Sequence, residues 1–235
     1  MTASESTVGS DSPNGLGAPV ASFVIPARNE ADYLRGTLSS IAALDTAYEY
    51  EVIVVDGGST DGTVDIARDY DTTVVSDGGA GIGAARTLGA EHADGEWLAF
   101  IDADTRVRAN YLTAMLGVVE ANGLAGASSA CRITGPLRAK LMEATINHVF
   151  PRLEYPILPG FNCFVHRRAF HDVGGFPDVA NEDTAFSRRL ARSYPTGYCS
   201  QVLVESSGRR IAESGLTGTL WHYGRLDLER VRTRS

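Results

Sequence analysis

Two aspartates one residue apart, Asp102 and Asp104, follow the apolar run Trp97-Leu98-Ala99-Phe100-Ile101. Alternate side chains of an extended segment leave on the same side, so both carboxylates can face one point. Side by side their charges repel unless a cation or hydrogen-bond donors compensate. A hard divalent cation such as Mg²⁺ or Mn²⁺ suits them, because it takes oxygen ligands and keeps positions open for phosphate oxygens. One of the two can equally hold a sugar hydroxyl. A solvated loop would also accept Asp-x-Asp; the buried-strand pattern just before it favours a site. Asp56 stands in the same relation to the run Glu51-Val52-Ile53-Val54-Val55 and opens Asp56-Gly57-Gly58-Ser59-Thr60-Asp61-Gly62-Thr63. The glycines permit a tight turn and close backbone approach. Asp56 can accept from a base imide or a ribose hydroxyl, whereas Ser59 and Asp61 read as helix caps. Glu182-Asp183 precedes a third such place, the amphipathic stretch Thr184 to Arg192. There a carboxylate either caps a helix or acts as a base. In the second case the loop Gly174-Gly175-Phe176-Pro177 brings Asp183 into the crevice to take a proton from an acceptor hydroxyl.

The basic residues are harder to place. Gly79-Ala80-Gly81-Ile82-Gly83-Ala84 matches the dinucleotide fingerprint in its Gly-x-Gly-x-x-Ala form, with Asp102 near the spacing of a ribose-binding acid. It follows a third strand and not a first, and the acid is doubled, so the better reading is a loop near the ligand. Arg86, one turn into the following helix, then reaches a phosphate or a base. Arg209-Arg210 after a strand are either surface charges or neutralise a diphosphate leaving group. His222, between Trp221 and Tyr223, is a packing residue or a metal or phosphate contact.

Apolar runs that alternate with helical patterns must position these groups. Strands are expected at Ser22–Ile25, Glu51–Val55, Thr72–Ser76 and Trp97–Ile101. Helices are expected from Asn29, as cap, to about Leu44, from Ser59–Thr63 to about Tyr70, and from about Ile82 to His92. Strands apolar throughout mean a parallel sheet covered on both faces, and ligands of such sheets bind outside the carboxyl ends of the strands. The second half reads as helices near 109–121, 137–149 and 182–193 and strands near 125–133, 161–166 and 198–205. The expectation is a single α/β domain over 20–235, its central sheet mostly parallel and flanked by helices. Residues 1–19, rich in Ser, Gly, Asp and Pro, cannot bury enough surface to offset their ordering entropy and read as a disordered tail.

The 235 residues carry a formal charge of -8 and a mean hydropathy of -0.08. An acidic chain offers no global field for the phosphate backbone of nucleic acid, so no nucleic-acid partner is expected. No run approaches the ~20 apolar residues of a membrane span, and no signal peptide is read at the start. Cys131, Cys163 and Cys199 match neither a zinc pattern nor a disulfide framework and suit small buried thiols in a reducing cytosol.

Taken in order, several stretches resemble family 2 glycosyltransferases of the GT-A fold. They are Ile25-Pro26-Ala27-Arg28-Asn29-Glu30, Val55 to Thr63, Gly83-Ala84-Ala85-Arg86, Ala93 to Asp104, Arg168 to Phe176, and Glu182-Asp183. The resemblance covers about 21–193 and implies a nucleotide-sugar donor and a divalent metal, Mg²⁺ or Mn²⁺. Carried over, Pro26, Ala27 and Glu30 line the nucleoside pocket, Asp56 binds the base, and Arg86 lies by the base or phosphates. Asp102 binds ribose or sugar, Asp104 the metal, and Asp183 of the Glu182-Asp183 pair is the acceptor base in an inverting transfer. The acceptor stays open between a saccharide hydroxyl and a polyprenyl phosphate. The stretch Leu141 to Phe161 is ordinary core or an apolar lip at a membrane surface, which would place a cytoplasmic enzyme at the inner face of the membrane. The rival readings are a sugar nucleotidyltransferase and a binding protein that has lost catalysis. The first wants a glycine-rich first loop that Pro26–Glu30 lacks; intact Asp102, Asp104 and Asp183 oppose the second.

Overall fold

The computed structural model describes residues 18–209. The expected tail lies almost entirely outside this range. The four apolar runs of the first half form β1 (Ala21–Ala27), β2 (Tyr50–Asp56), β3 (Thr73–Ser76) and β4 (Trp97–Ile101). Between them lie α1 (Ala31–Ala42), α2 (Thr63–Arg68) and α3 (Ile82–Glu91). There follow β5 (Thr105–Val107), α4 (Tyr111–Asn122), β6 (Gly126–Thr134), α5 (Leu137–His148), β7 (Asn162–His166), α6 (Arg167–Asp172), α7 (Glu182–Ser193) and β8 (Thr196–Ser207). Two elements, β5 and α6, have no counterpart in the sequence reading.

All eight strands join one sheet in the order β3-β2-β1-β4-β7-β6-β8-β5. The sheet is mixed. β1 to β4 pair in parallel, β7 runs antiparallel to both β4 and β6, β8 is parallel to β6, and β5 is antiparallel to β8. Six strands therefore share one direction, and the reversal of β7 and β5 makes the sheet mixed. The reversal matters for position. Register pairs Ala27 with Asp56, Asp56 with Ser76 and Ile101 with Asn162. The carboxyl ends of β1 to β4 and the start of β7 thus meet at one rim.

Each face of the sheet has its own core. Phe23, Tyr111 and Phe164 are sealed on one face, and Phe100, Phe170, Phe176 and Phe186 cluster on the other. The three cysteines are buried and free, and burial pushes the thiols of Cys131 and Cys163 up to about 12. Those two thiols are inert as nucleophiles near neutral pH. No helix among the described residues is long and apolar enough to cross a membrane.

Past Ala127 strand β6 loses β7, and α5 takes over that edge with side chains. Asn147 accepts from the Cys131 N–H at 2.9 Å and donates to its carbonyl at 2.8 Å, while Glu143 accepts from the Ile133 N–H at 2.6 Å. Asn147 and Glu143 of α5 therefore turn toward β6 on the side where Ala139 and Ile146 are buried, and Leu137 and Leu141 face solvent.

α3 sits unusually close to the sheet. A Cβ on Gly89 would lie 2.3 Å from Val24 Cγ1 and 3.0 Å from Val55 Cγ2. Both are branched, buried and unable to swing away. Gly89→Ala is therefore expected to destabilise the fold by about 1–3 kcal/mol through overpacking. At roughly 2–4 °C per kcal/mol for a chain this long, a thermal melt should show the loss; an unchanged melt would mean that α3 can back away from β1.

Candidate active site

At the rim, a cleft of about 320 Å³ opens between the ends of β1 and β2 and the loop before α3, with Pro26, Ala27, Glu30, Gly57, Asp77 and Gly81 on its walls. Gly79 and Gly81 adopt φ of +85° and +107°, so the glycine-rich loop supplies a wall of bare backbone. Asp56, 8% exposed, turns back on its own loop: its carboxylate accepts from the N–H of Gly58 at 3.2 Å and of Ser59 at 3.1 Å. Asn29 does not cap α1. It stands in the left-handed region at φ 53° and its side chain accepts from the Thr60 N–H at 2.9 Å, stitching the β1 loop to the β2 loop. The amides of Glu30 and Ala31 donate instead to Thr63 Oγ1 at 2.8 Å and Asp61 Oδ2 at 3.2 Å. Neither Ser59 nor Asp61 is the N-cap of α2, which is Gly62 with no side-chain cap bond: Ser59 Oγ accepts from the Asn29 N–H, and Asp61 accepts from the Thr63 N–H as well as from Ala31 across at α1.

The strongest electrostatic feature lies behind the cleft. Arg86 is 3% exposed, and its Nη2 donates to Asp102 Oδ1 at 2.7 Å while Nη1 donates to Glu182 Oε1 at 2.6 Å. The guanidinium also lies 5.4 Å from the centre of the Phe176 ring. Burial works against its charge, but Asp102, Glu182 and Asp183 more than offset that, and its pKa stands above the ordinary arginine value. Gly160 covers the guanidinium so closely that a Cβ there would come within 2.4 Å of Nη1. The Gly160 N–H in turn donates to Asp183 Oδ2 at 3.2 Å, and the Thr184 N–H donates to Asp183 Oδ1 at 2.6 Å. Arg86, Asp102, Gly160 and the pair Glu182-Asp183 are thus brought together from four places in the chain. The sequence expectation set Arg86 beside phosphate or base; the structure seals it among carboxylates. Glu182 meets that arginine and not the open cleft.

A second arginine serves the other carboxylates. Arg209 Nη2 donates to both oxygens of Glu30, at 2.8 and 2.7 Å, and lies 3.9 Å from Asp104 Oδ2. Its guanidinium stacks over Tyr33 at 4.4 Å. Glu30 and Asp104 are 5% and 9% exposed. β5 holds Asp104 here: the Ser207 N–H donates to the Asp104 carbonyl at 3.2 Å, so β8 anchors the Asp-x-Asp segment from the far side. Tyr33, Gly160 and Asp77 were missed in the sequence. Gly160 alone carried a signal, a glycine directly after Pro159 in a proline-punctuated stretch.

Arg210 and His222 lie outside the described residues. Of the stretch from Leu141 to Phe161, Ile146, Phe150, Ile157 and Leu158 are core, and Leu141, Val149 and Leu153 are exposed. Among the described residues no group of three or more His, Cys, Asp or Glu is placed to hold a metal ion. What the rim offers is one or two carboxylate oxygens beside an arginine. That fits a hard cation taking the rest of its shell from phosphate and water, and does not fit a closed protein cage.

A family model described as glycosyl transferase family 2 matches residues 22–174. The glycosyltransferase AglE of Haloferax volcanii is 28% identical over 185 residues, 73% of this chain and 61% of that protein. A PGL/p-HBAD biosynthesis glycosyltransferase of Mycobacterium tuberculosis is 38% identical over 95 residues, 38% of this chain and 37% of that protein. The chain therefore spans less than two thirds of the length of these relatives. Among solved structures, the mannosyltransferase PcManGT of Pyrobaculum calidifontis, in complex with GDP-Man and Mn²⁺, superposes with a TM-score of 0.67 at 24% identity. The match covers 85% of this chain and 60% of that one. TarS of S. aureus in complex with UDP superposes with a TM-score of 0.68 at 19% identity, over 80% and 60% of the two chains. The shared fold is that of the GT-A glycosyltransferases.

Removing Arg86 would leave two carboxylates in a site that water barely reaches. Arg86→Met is expected to destabilise by about 3–5 kcal/mol, the cost of breaking a buried ion pair from one side. Urea unfolding followed by circular dichroism measures it; a change under 1 kcal/mol would show that solvent screens the cluster.

Proposed function

The chain belongs to glycosyl transferase family 2, and from that membership we propose that it moves a sugar from a nucleoside-diphosphate sugar to an acceptor hydroxyl, with inversion at the anomeric carbon and with Mg²⁺ or Mn²⁺. The observation that carries the reading is the convergence at one rim of Asp102, Asp104 and Asp183, two of them faced by arginines, beside a cleft walled by backbone. The nucleotide sugar of the Pyrobaculum structure and the UDP of the TarS structure support the donor class.

In this reading Pro26 and Ala27 line the nucleoside pocket, and Asp56 accepts from base or ribose, its loop bonds having fixed its carboxylate in advance. Asp102, held by Arg86, accepts from a ribose or sugar hydroxyl. Asp104 holds the cation, which supplies positive charge for the diphosphate. The acceptor oxygen forms a bond to the anomeric carbon as the bond from that carbon to the diphosphate oxygen breaks. The electron pair leaves with the diphosphate, and the acceptor proton passes to Asp183. Attack in line with the departing oxygen inverts the centre. Asp183 accepts from the N–H groups of Gly160 and Thr184 and from the Thr184 hydroxyl at 3.4 Å, and a carboxylate has lone-pair capacity beyond these three, so it can accept that proton. Glu182 becomes a positioning residue that ties the start of α7 to Arg86, and Arg86 positions Asp102. A hydroxyl acceptor is favoured over a polyprenyl phosphate because a phosphate arrives ionised and has little use for such a base.

Two substitutions test this. Asp104→Asn should abolish the Mn²⁺-dependent part of the thermal shift given by UDP or GDP, since an amide oxygen is a poorer ligand for a hard cation; an undiminished shift would remove Asp104 from the site. Asp183→Asn should lower transfer by ~10²–10⁴ with donor affinity unchanged, measured after a panel of nucleotide sugars has identified the donor. Near-normal turnover would point to an acceptor that needs no base.

A further inference from the structure

Arg209 is not explained by its charge alone. Its Nη2 bonds both oxygens of Glu30 and reaches to 3.9 Å from Asp104 Oδ2, so one guanidinium serves as counter-ion to two nearly buried carboxylates. Its Nε is buried and has no hydrogen-bond partner among the described residues. A guanidinium presents five donors in a rigid fork. Here the terminal Nη2 is committed to Glu30, and the guanidinium lies beside the carboxylate that would hold the cation.

We propose that Arg209 occupies the electrostatic place of the cation in the unliganded protein, so that Asp104 becomes an effective metal ligand only when a diphosphate arrives with the metal. A bare divalent cation at Asp104 would sit within a few ångströms of a positive charge, beside carboxylates that are nearly buried although the arginine itself is partly exposed, and like charges that close repel. A diphosphate removes the conflict. Its oxygens would supply further ligands to a cation held by Asp104 and would accept from the Arg209 guanidinium, so metal and arginine would share one anion and cease to compete for one carboxylate. The stack on Tyr33 keeps the guanidinium at this height, so it can turn from carboxylate to phosphate without leaving the rim. Metal and diphosphate are therefore bound as a unit.

The inference deepens the proposed function and rests on Asp104 as the cation ligand. Its test needs neither the donor sugar nor the acceptor. Mn²⁺ binding is followed by the loss of the free-ion electron paramagnetic resonance signal, without added anion and with inorganic pyrophosphate, a probe indifferent to the base. The wild type should bind Mn²⁺ weakly alone and much more tightly with pyrophosphate. Arg209→Met should bind Mn²⁺ alone at least tenfold more tightly than the wild type, and Mn²⁺ with pyrophosphate at least tenfold more weakly than the wild type does. Arg209→Lys, which keeps the charge, should stay near wild type for Mn²⁺ alone. Unchanged or weaker binding of Mn²⁺ alone by Arg209→Met would overturn the proposal, as would an equal gain in Arg209→Lys. Asp104→Asn in the Arg209→Met background separates the premises: if Mn²⁺ affinity survives there, the assignment of Asp104 is at fault and not the competition.

Discussion

A guanidinium sealed from water survives only among carboxylates, and carboxylates sealed with it survive only while it stays. The Arg86 cluster is such a mutual obligation, and it joins α3, the end of β4, the turn before β7 and the first turn of α7. α7 starts from Asn181 at φ 56° with no side-chain cap bond, so its first turn is fixed by Glu182 on Arg86 and not by ordinary capping. Asp102 and the Glu182-Asp183 pair are thereby set relative to one another through a single guanidinium. Because the pairing is buried, added salt should touch it far less than the exposed pair Arg35–Asp69.

The reversal of β7 makes that cluster possible. A parallel β7 would deliver its carboxyl end to the rim and its preceding turn to the opposite edge. Running antiparallel to β4, with Asn162 beside Ile101, it brings the turn at Gly160 over Arg86 and against Asp183. The backbone N–H that restrains the proposed base is thus a product of sheet topology. β5 does the equivalent for Asp104, tying the short segment after Asp102 to β8.

Much of this was legible in the sequence, and the remainder fails for identifiable reasons. β1, β2 and β4 read plainly because each is buried on both faces and therefore apolar at nearly every position. β5 was invisible: three residues, one of them the exposed Arg106, carry no periodicity. α6, Arg167 to Asp172, is too short and too charged to register. The rim acids were found because strand ends are marked by the change from apolar to polar. Their partners were not, because the bond from Arg86 to Glu182 spans 96 positions and that from Arg209 to Glu30 spans 179. Local pattern reports nothing about pairings at that range. Asn29 failed in the other direction: a good capping residue by type, it was taken into a loop-to-loop bond with Thr60 that competes with the helix for the same side-chain oxygen.

The side-chain bonds from α5 to β6 have a consequence for how this protein behaves in company. A strand that has lost its neighbour offers a ladder of unpaired donors and acceptors, which invites a strand from another chain. Asn147 and Glu143 occupy that ladder at Cys131 and Ile133, so the free half of β6 cannot recruit a foreign strand. The sheet ends at β3, four residues long, and at β5, three. Among the described residues β5 covers the outer edge of β8 only over Val204–Ser206, so the flank that a helix closes is that of β6, and there amyloid-like stacking or strand exchange cannot readily begin.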